Sequence, residues 1–157
     1  MRTITQIGLN LIKFFETFSA KIYICPAGYP TIGYGHVVKE FEKKKFTAGI
    51  TIQEGEILLR QDIQIAESAV CRLITVPLTD GQFDALVSFT FNLGSGALQR
   101  STLRRKVNRE EHEDVPAEFM KWVWSGNRKL KGLVKRRNAE AILYSYISYL
   151  FTPFPKI

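Results

Sequence analysis

A carboxylate, a thiol and a hydroxyl stand close together near the start of the chain. Eight residues separate Glu16 from Cys25, and five separate Cys25 from Thr31. Residues 16–36 are where ionisable, nucleophilic and hydroxyl groups converge with glycine-rich geometry. An acid, a second group across a scissile bond, and a polar group that holds water make a minimal set for hydrolysis. A helix ending at Glu16 and followed by a tight hairpin brings all three to one cleft wall. Glu16 lies in KFFETF, among Phe14, Phe15 and Phe18. Apolar neighbours disfavour the ionised form of a carboxyl, which suits a proton donor. The bland alternative is a solvated Glu on the polar stripe of an amphipathic helix.

Each partner also has a plain structural reading. A free cysteine is often an inert, small buried hydrophobe, and Thr31 suits a strand by its β-branch alone. A Cys25–Cys71 bridge that masks the thiol is a weaker alternative. Two cysteines make no disulfide framework and show no metal spacing, so a reducing compartment is the default. With two histidines and no H-E-x-x-H pattern, no metal and no cofactor is expected. Trp122 and Trp124 could offer a flat binding platform, but their expected helical setting favours core packing for both.

The elements that must position these groups are legible. Residues 3–18 read as a helix, with Ile7, Leu11, Phe14, Phe15 and Phe18 at helical spacing. Residues 20–37 hold Gly, Pro, Tyr and β-branched residues, the mark of short strands and tight turns. Thr51 with Glu54 forms a capping box that opens a long helix ending near Pro77. Thr79 with Gln82 opens another that stops at Gly94–Gly96. Ser101 caps a short helix, residues 114–124 form one with Pro116 in its first turn, and 132–150 form the last. The expected fold is α+β and mostly helical, in one domain of 157 residues. A β-rich lobe (about 19–50) and a helical lobe (about 75–157 plus helix 3–18) are joined by helix 51–74, with a cleft between them. Clefts between lobes are where ligands usually bind.

Charge is unevenly spread. Residues 99–137 hold 12 Lys/Arg against 5 Asp/Glu and so carry the entire net charge of +7. One strongly basic face is expected, which attracts polyanions such as nucleic acid, anionic lipid or envelope polymer. The apolar run AILYSYISYLF is too short to span a bilayer and reads as a core helix. The N-terminal IGLNLI is followed by Lys13 and Glu16 without a small-residue cleavage site, so no signal peptide or anchor is expected.

The Glu, eight residues, Asp or Cys, five residues, Thr pattern resembles the catalytic signature of phage-type lysozymes, the endolysins of glycoside hydrolase family 24. TIGYGH, QFDALVSFTFNLGSGALQRSTLRRKVN and GLVKRRNAEAILY resemble the same family, in order and at its spacing. The resemblance covers residues 7 to about 150 and implies a lysozyme-like fold. It makes Glu16 the general acid and Thr31 the residue that positions water. At position 25 the commoner residue is Asp. Cys is an accepted alternative, and it acts as a thiolate base, a nucleophile or a holder of water; inversion and retention both stay open. The resemblance assigns Arg136, with a one-residue ambiguity against Arg137, to reach toward the acid; the other of the two is expected on a solvated face. It makes Asn92 a sugar-binding residue, against a helix-cap reading of equal weight. His36 receives no chemical role and is expected to be structural, hydrogen-bonded between the lobes.

The implied activity is hydrolysis of the β-1,4 bond between N-acetylmuramic acid and N-acetylglucosamine in peptidoglycan, leading to host lysis. The expected partners are peptidoglycan and, transiently, the anionic envelope, with no specific nucleic acid, and the chain acts as a monomer. Two rival readings are a non-enzymatic binder of wall polymer or nucleic acid and a transglycosylase. With no export signal, the protein is expected in the bacterial host cytoplasm. It would reach the wall after a phage or prophage holin opens the membrane.

Overall fold

The computed structural model describes residues 2–146. Helix α1 spans Gln6–Glu16 and is capped by Thr5, whose hydroxyl accepts from the Ile7 and Gly8 amides. Its start is pinned by two buried acids. Glu67 accepts from the Ile4 amide at 2.7 Å, and Asp84 accepts from the Thr5 amide, the Thr5 hydroxyl and the Gly8 amide. Two carboxylates beside a helix N-terminus satisfy exposed donors and complement the helix dipole. Gly8 is required here, because a Cβ would lie 2.6 Å from Asp84 Cγ and 2.6 Å from Ile4 Cγ1.

The helix is shorter than the expected 3–18, and its inner face is different. Gly8, Leu9 and Ile12 are buried, whereas Ile7 and Phe14 are 68% and 78% exposed. The reason is the anchoring of Gly8 against Asp84, which fixes the rotation of α1 and turns the Ile7–Phe14 stripe outward. After Glu16 the backbone turns sharply at Thr17, φ 55°. A β-branched residue there is strained. Phe18 then packs so close to Gly55 that a Cβ on that glycine would lie 2.6 Å from its ring.

Strands β1 (Ser19–Ile24), β2 (Pro30–Gly33) and β3 (His36–Val37) form an antiparallel sheet in sequential order, as the turn-rich composition of 20–37 predicts. Their register pairs Tyr23 with Thr31, Thr31 with Val37 and Ile32 with His36. A 3-10 turn at Glu40–Glu42 follows. Ile32, Val38, Phe46 and Leu58 make a small core beneath this sheet.

Helix α2 (Ile52–Leu73) opens with the expected Thr51–Glu54 capping box. At 22 residues it is about 33 Å long. Leu58 belongs to the small core, while the adjacent Leu59 and Ile63 belong to the larger helical one. One helix thus ties the two cores together. Helix α3 (Asp80–Leu93) also opens with its expected capping box and ends at Gly94, φ 85°. Helices α4 (Ser95–Arg100), α5 (Thr102–Asn108) and α6 (Val115–Phe119) follow. The expected helix 114–124 stops early: β4 (Trp124–Ser125) and β5 (Arg128–Lys129) form a hairpin that turns at Gly126, φ 56°. The SGN turn chemistry overrides the helical pattern there. Trp122 meets Phe89 edge-on at 5.4 Å, but Trp124 is 58% exposed on the hairpin, which corrects its assignment to the core.

Helix α7 (Lys131–Ser145) packs on α3 and buries Arg136, Arg137, Glu140, Ala141 and Tyr144. The expected last helix and the run AILYSYISYLF both extend past residue 146, outside the described residues. The fold is mostly helical α+β with a small antiparallel sheet, the class read from the sequence. Among the described residues, no helix is long and apolar enough to cross a membrane.

Candidate active site

Glu16 is the last residue of α1, which points its carboxylate into a cleft of about 470 Å³. Gly35, His36, Val37 and Lys39 line one wall of the cleft; Asp62 and Ile65 of α2 and Phe91 and Asn92 of α3 complete it. The Glu16 side chain is 22% exposed. Its Oε1 accepts from Arg136 Nη1 at 2.5 Å. Its other oxygen, Oε2, faces Gly35, where a Cβ would come within 3.7 Å. One oxygen is therefore held by a cation while the other looks toward open cleft.

The surroundings of Glu16 differ from the expected apolar cage. Phe14 points to solvent. Phe15 instead stacks under the guanidinium of Arg136, whose carbon lies 5.6 Å from the ring centroid. The aromatic residue thus supports the acid through its arginine partner.

Of the two adjacent arginines, Arg136 is the one that contacts Glu16. Its Nε donates to Glu140 Oε1 at 3.3 Å and its Nη2 to the Ser88 carbonyl at 3.4 Å. Arg137 is not on a solvated face: it is fully buried, over the Phe89 ring at 5.1 Å. Its Nη2 donates to Asn92 Oδ1 at 2.8 Å and to Glu140 Oε1 at 3.1 Å. Burial pulls the Arg137 guanidinium down to about 10, against the opposing pull of Glu140, and it remains charged at neutral pH. Burial pushes the Glu140 carboxyl up, and Arg137 and Arg136 draw it back down. Asn92 lines the cleft and is not the cap of α3, which is Gly94. Its side-chain carbonyl oxygen accepts from Arg137, and its side chain lines the cleft.

Cys25 and Thr31 are brought to each other but do not line this cleft. Cys25 follows β1 in a tight turn, where its amide donates to Tyr29 O at 2.9 Å and Gly28 N donates to its carbonyl at 2.8 Å. Thr31 is buried on β2, donates to Tyr29 O at 3.0 Å, and lies within reach of the Cys25 thiol. The thiol's pKa is lowered, first by the Tyr29 backbone amide and then by the Thr31 hydroxyl. Thr31 pairs across the sheet with Val37, a cleft residue, so the two sites share a strand edge. Both Cys25 and Cys71 are free thiols, which excludes the bridge.

His36 has the structural part expected of it. Its Nδ1 lies 2.9 Å from Asp62 of α2, and its Nε2 lies 3.5 Å from Glu42. It joins the sheet to the long helix. Among the described residues no cluster of His, Cys, Asp or Glu is arranged to hold a metal. Glu140, Ser88 and Asp84 escaped the sequence reading. Glu140 had a signal, since it stands four residues after Arg136 and three after Arg137, the spacings that meet on a helix.

The Phage lysozyme family model matches residues 13–140. The endolysin of Bacillus phage B103 is 42% identical over 90% of this chain, which spans about half (53%) of that protein's length. The endolysin of Acyrthosiphon pisum secondary endosymbiont phage 1 is 40% identical over 90% of this chain and 97% of its own. Among solved structures, the muramidase domain of SpmX from Asticaccaulis excentricus is similar at a TM-score of 0.84 and 33% identity. That match covers 94% of this chain and all of that one. A family match spanning α1 to α7, with a backbone of the same shape, leaves one assignment: the chain belongs to the phage lysozyme family.

Proposed function

We propose that the chain is an endolysin that hydrolyses the β-1,4 bond between N-acetylmuramic acid and N-acetylglucosamine in peptidoglycan, and so lyses the host cell. The observation that carries this reading is Glu16 at the mouth of the cleft, with one oxygen bound by Arg136 and the other open. In this reading Glu16 protonates the glycosidic oxygen as the bond breaks, and the sugar develops oxocarbenium character. Arg136 orients the carboxyl and steadies the carboxylate left behind after proton transfer. Cys25 and Thr31 stand outside the lining around Glu16 but share the strand edge at Val37 with it, and in this reading they serve the water side from there. The lowered thiol pKa supports a thiolate that draws a proton from water held by the Thr31 hydroxyl. Asn92 donates its amide hydrogens to the glycan. The chain acts as a monomer, needs no metal or cofactor, and reaches the wall from the host cytoplasm after a holin opens the membrane. Its basic residues speed encounter with the anionic envelope.

Purified protein on purified peptidoglycan tests this, with products read by mass spectrometry. Wild type is expected to release reducing muramic acid ends, and Glu16→Gln to release none while keeping its melting temperature. Lysis retained by Glu16→Gln removes Glu16 from the role, and anhydro ends in place of reducing ends would make the enzyme a transglycosylase.

A further inference from the structure

We propose that Glu140 is a positioning residue of the cleft: its carboxylate holds two buried guanidiniums so that Arg136 meets Glu16 and Arg137 meets Asn92. The inference rests on the reading of Glu16 as the acid. Glu140 and Arg137 are wholly buried and Arg136 is 4% exposed, so water cannot stand in for a lost partner. Glu140 Oε1 accepts from Ser88 Oγ at 2.7 Å, from Arg137 Nη2 at 3.1 Å and from Arg136 Nε at 3.3 Å. Its Oε2 lies 3.0 Å from Arg137 Nε. By engaging the Nε edge of Arg136, it leaves the Nη1 end free to point at Glu16.

The charges balance across the set, with Arg136 and Arg137 against Glu16 and Glu140. Among the described residues, removing Glu140 leaves Glu16 as the one carboxylate bonded to this arginine pair. An unpaired buried cation is costly and draws the remaining anion toward it. Glu16 would then be pulled back from the glycan while Arg137 loosens its hold on Asn92. One buried carboxylate therefore couples the acid to the sugar-binding amide, which predicts that a single change damages turnover and binding together.

Glu140→Gln keeps the shape and removes the charge; Ser88→Ala removes one hydrogen bond to Glu140 and touches neither Glu16 nor Asn92. On soluble peptidoglycan oligomers, well below the melting temperature, Glu140→Gln is expected to lower kcat by about 10-fold to 100-fold. KM should rise about threefold through Asn92, and Ser88→Ala should lower kcat about threefold. A merely structural carboxylate would lower the melting temperature and leave kcat of the folded enzyme intact. A folded Glu140→Gln enzyme with wild-type kcat and KM overturns the proposal. Should that variant fail to fold, Ser88→Ala decides: a fall in kcat with circular dichroism unchanged supports the coupling, and full kcat overturns it. Activity retained by Glu16→Gln would overturn the parent reading as well, and is read at a different residue.

Discussion

Arg136 Nη1 and Glu16 Oε1 meet at 2.5 Å although 120 positions separate them in the chain. The contact joins the end of α1 to the middle of α7 behind the cleft residue Glu16. Arg136 also reaches Glu140 and the Ser88 carbonyl, so three groups use one planar fork. A lysine offers a single point of charge on a flexible stem and cannot hold all three.

Arg136→Lys is therefore expected to keep the fold and lose about 10-fold to 100-fold in kcat, measured as turbidity loss on purified peptidoglycan. Arg136→Ala leaves Glu140 short of a buried partner and should cost about 3 kcal/mol in a denaturant melt. Wild-type turnover in the lysine variant would remove the orienting role of the guanidinium.

The turn after β1 yields a prediction in pH. The Cys25 thiol lies below its ordinary pKa because the Tyr29 amide and the Thr31 hydroxyl favour the thiolate. At a given pH it is therefore more ionised than an ordinary thiol. In a Cys71→Ser background, iodoacetamide labelling of the folded protein should rise with pH through a midpoint below that of the same thiol in the unfolded chain. Labelled enzyme should lose lysis. Thr31→Val removes the second cause of the shift and should move the midpoint upward. A midpoint that ignores Thr31 would separate the two residues.

Phe14 and Phe15 should behave oppositely despite being adjacent. Phe14 stands in solvent and touches the Phe15 ring edge-on at 5.1 Å. Phe14→Ser is expected to change stability by no more than about 1 kcal/mol and to leave lysis unchanged. Phe15→Ala removes the face beneath Arg136 and should lower kcat about fivefold, through a cation–π contact of about 1 kcal/mol. Equal losses at both positions would mean that Phe14 and Phe15 both act on Glu16 as the apolar neighbours expected from the sequence.

The contrast between those two residues shows what a linear reading reaches. Capping boxes at Thr51 and Thr79 were legible because the cap and its partner lie three residues apart. The strands of 19–37 were legible because turn chemistry is local. The rotation of α1 was not, because Asp84 sets it from 76 residues away through Gly8. The burial of Arg137 escaped for the same reason: its partner Asn92 lies 45 residues earlier, and cations on a helix read as a solvated face. Trp124 failed differently, since a Gly-Asn turn beside it outweighed a helical pattern that ended earlier. Glu16, Arg136 and Asn92 were placed by resemblance to a family, and periodicity alone would have left each of them on a surface.

Asp84 supplies the last prediction, because the position of Glu16 depends on how the other end of α1 is held. Asp84 is 1% exposed and accepts from the Thr5 amide at 2.9 Å and the Gly8 amide at 3.2 Å, as well as from the Thr5 hydroxyl. Asp84→Ala leaves those donors facing a void that no side chain fills. Unpaired buried donors cost about 1–3 kcal/mol each, so a loss of about 3 kcal/mol is expected. In a domain of this size that corresponds to roughly 10 °C in melting temperature. Gly8→Ala attacks the same contact from the other side, since its Cβ would lie 2.6 Å from Asp84 Cγ. Both variants should lower the melting temperature, and both should lower kcat at temperatures where circular dichroism shows full folding, because α1 ends at Glu16, the proposed acid. Melting curves that shift while kcat per folded molecule stays constant would show that α1 is held at its Glu16 end by Arg136 alone.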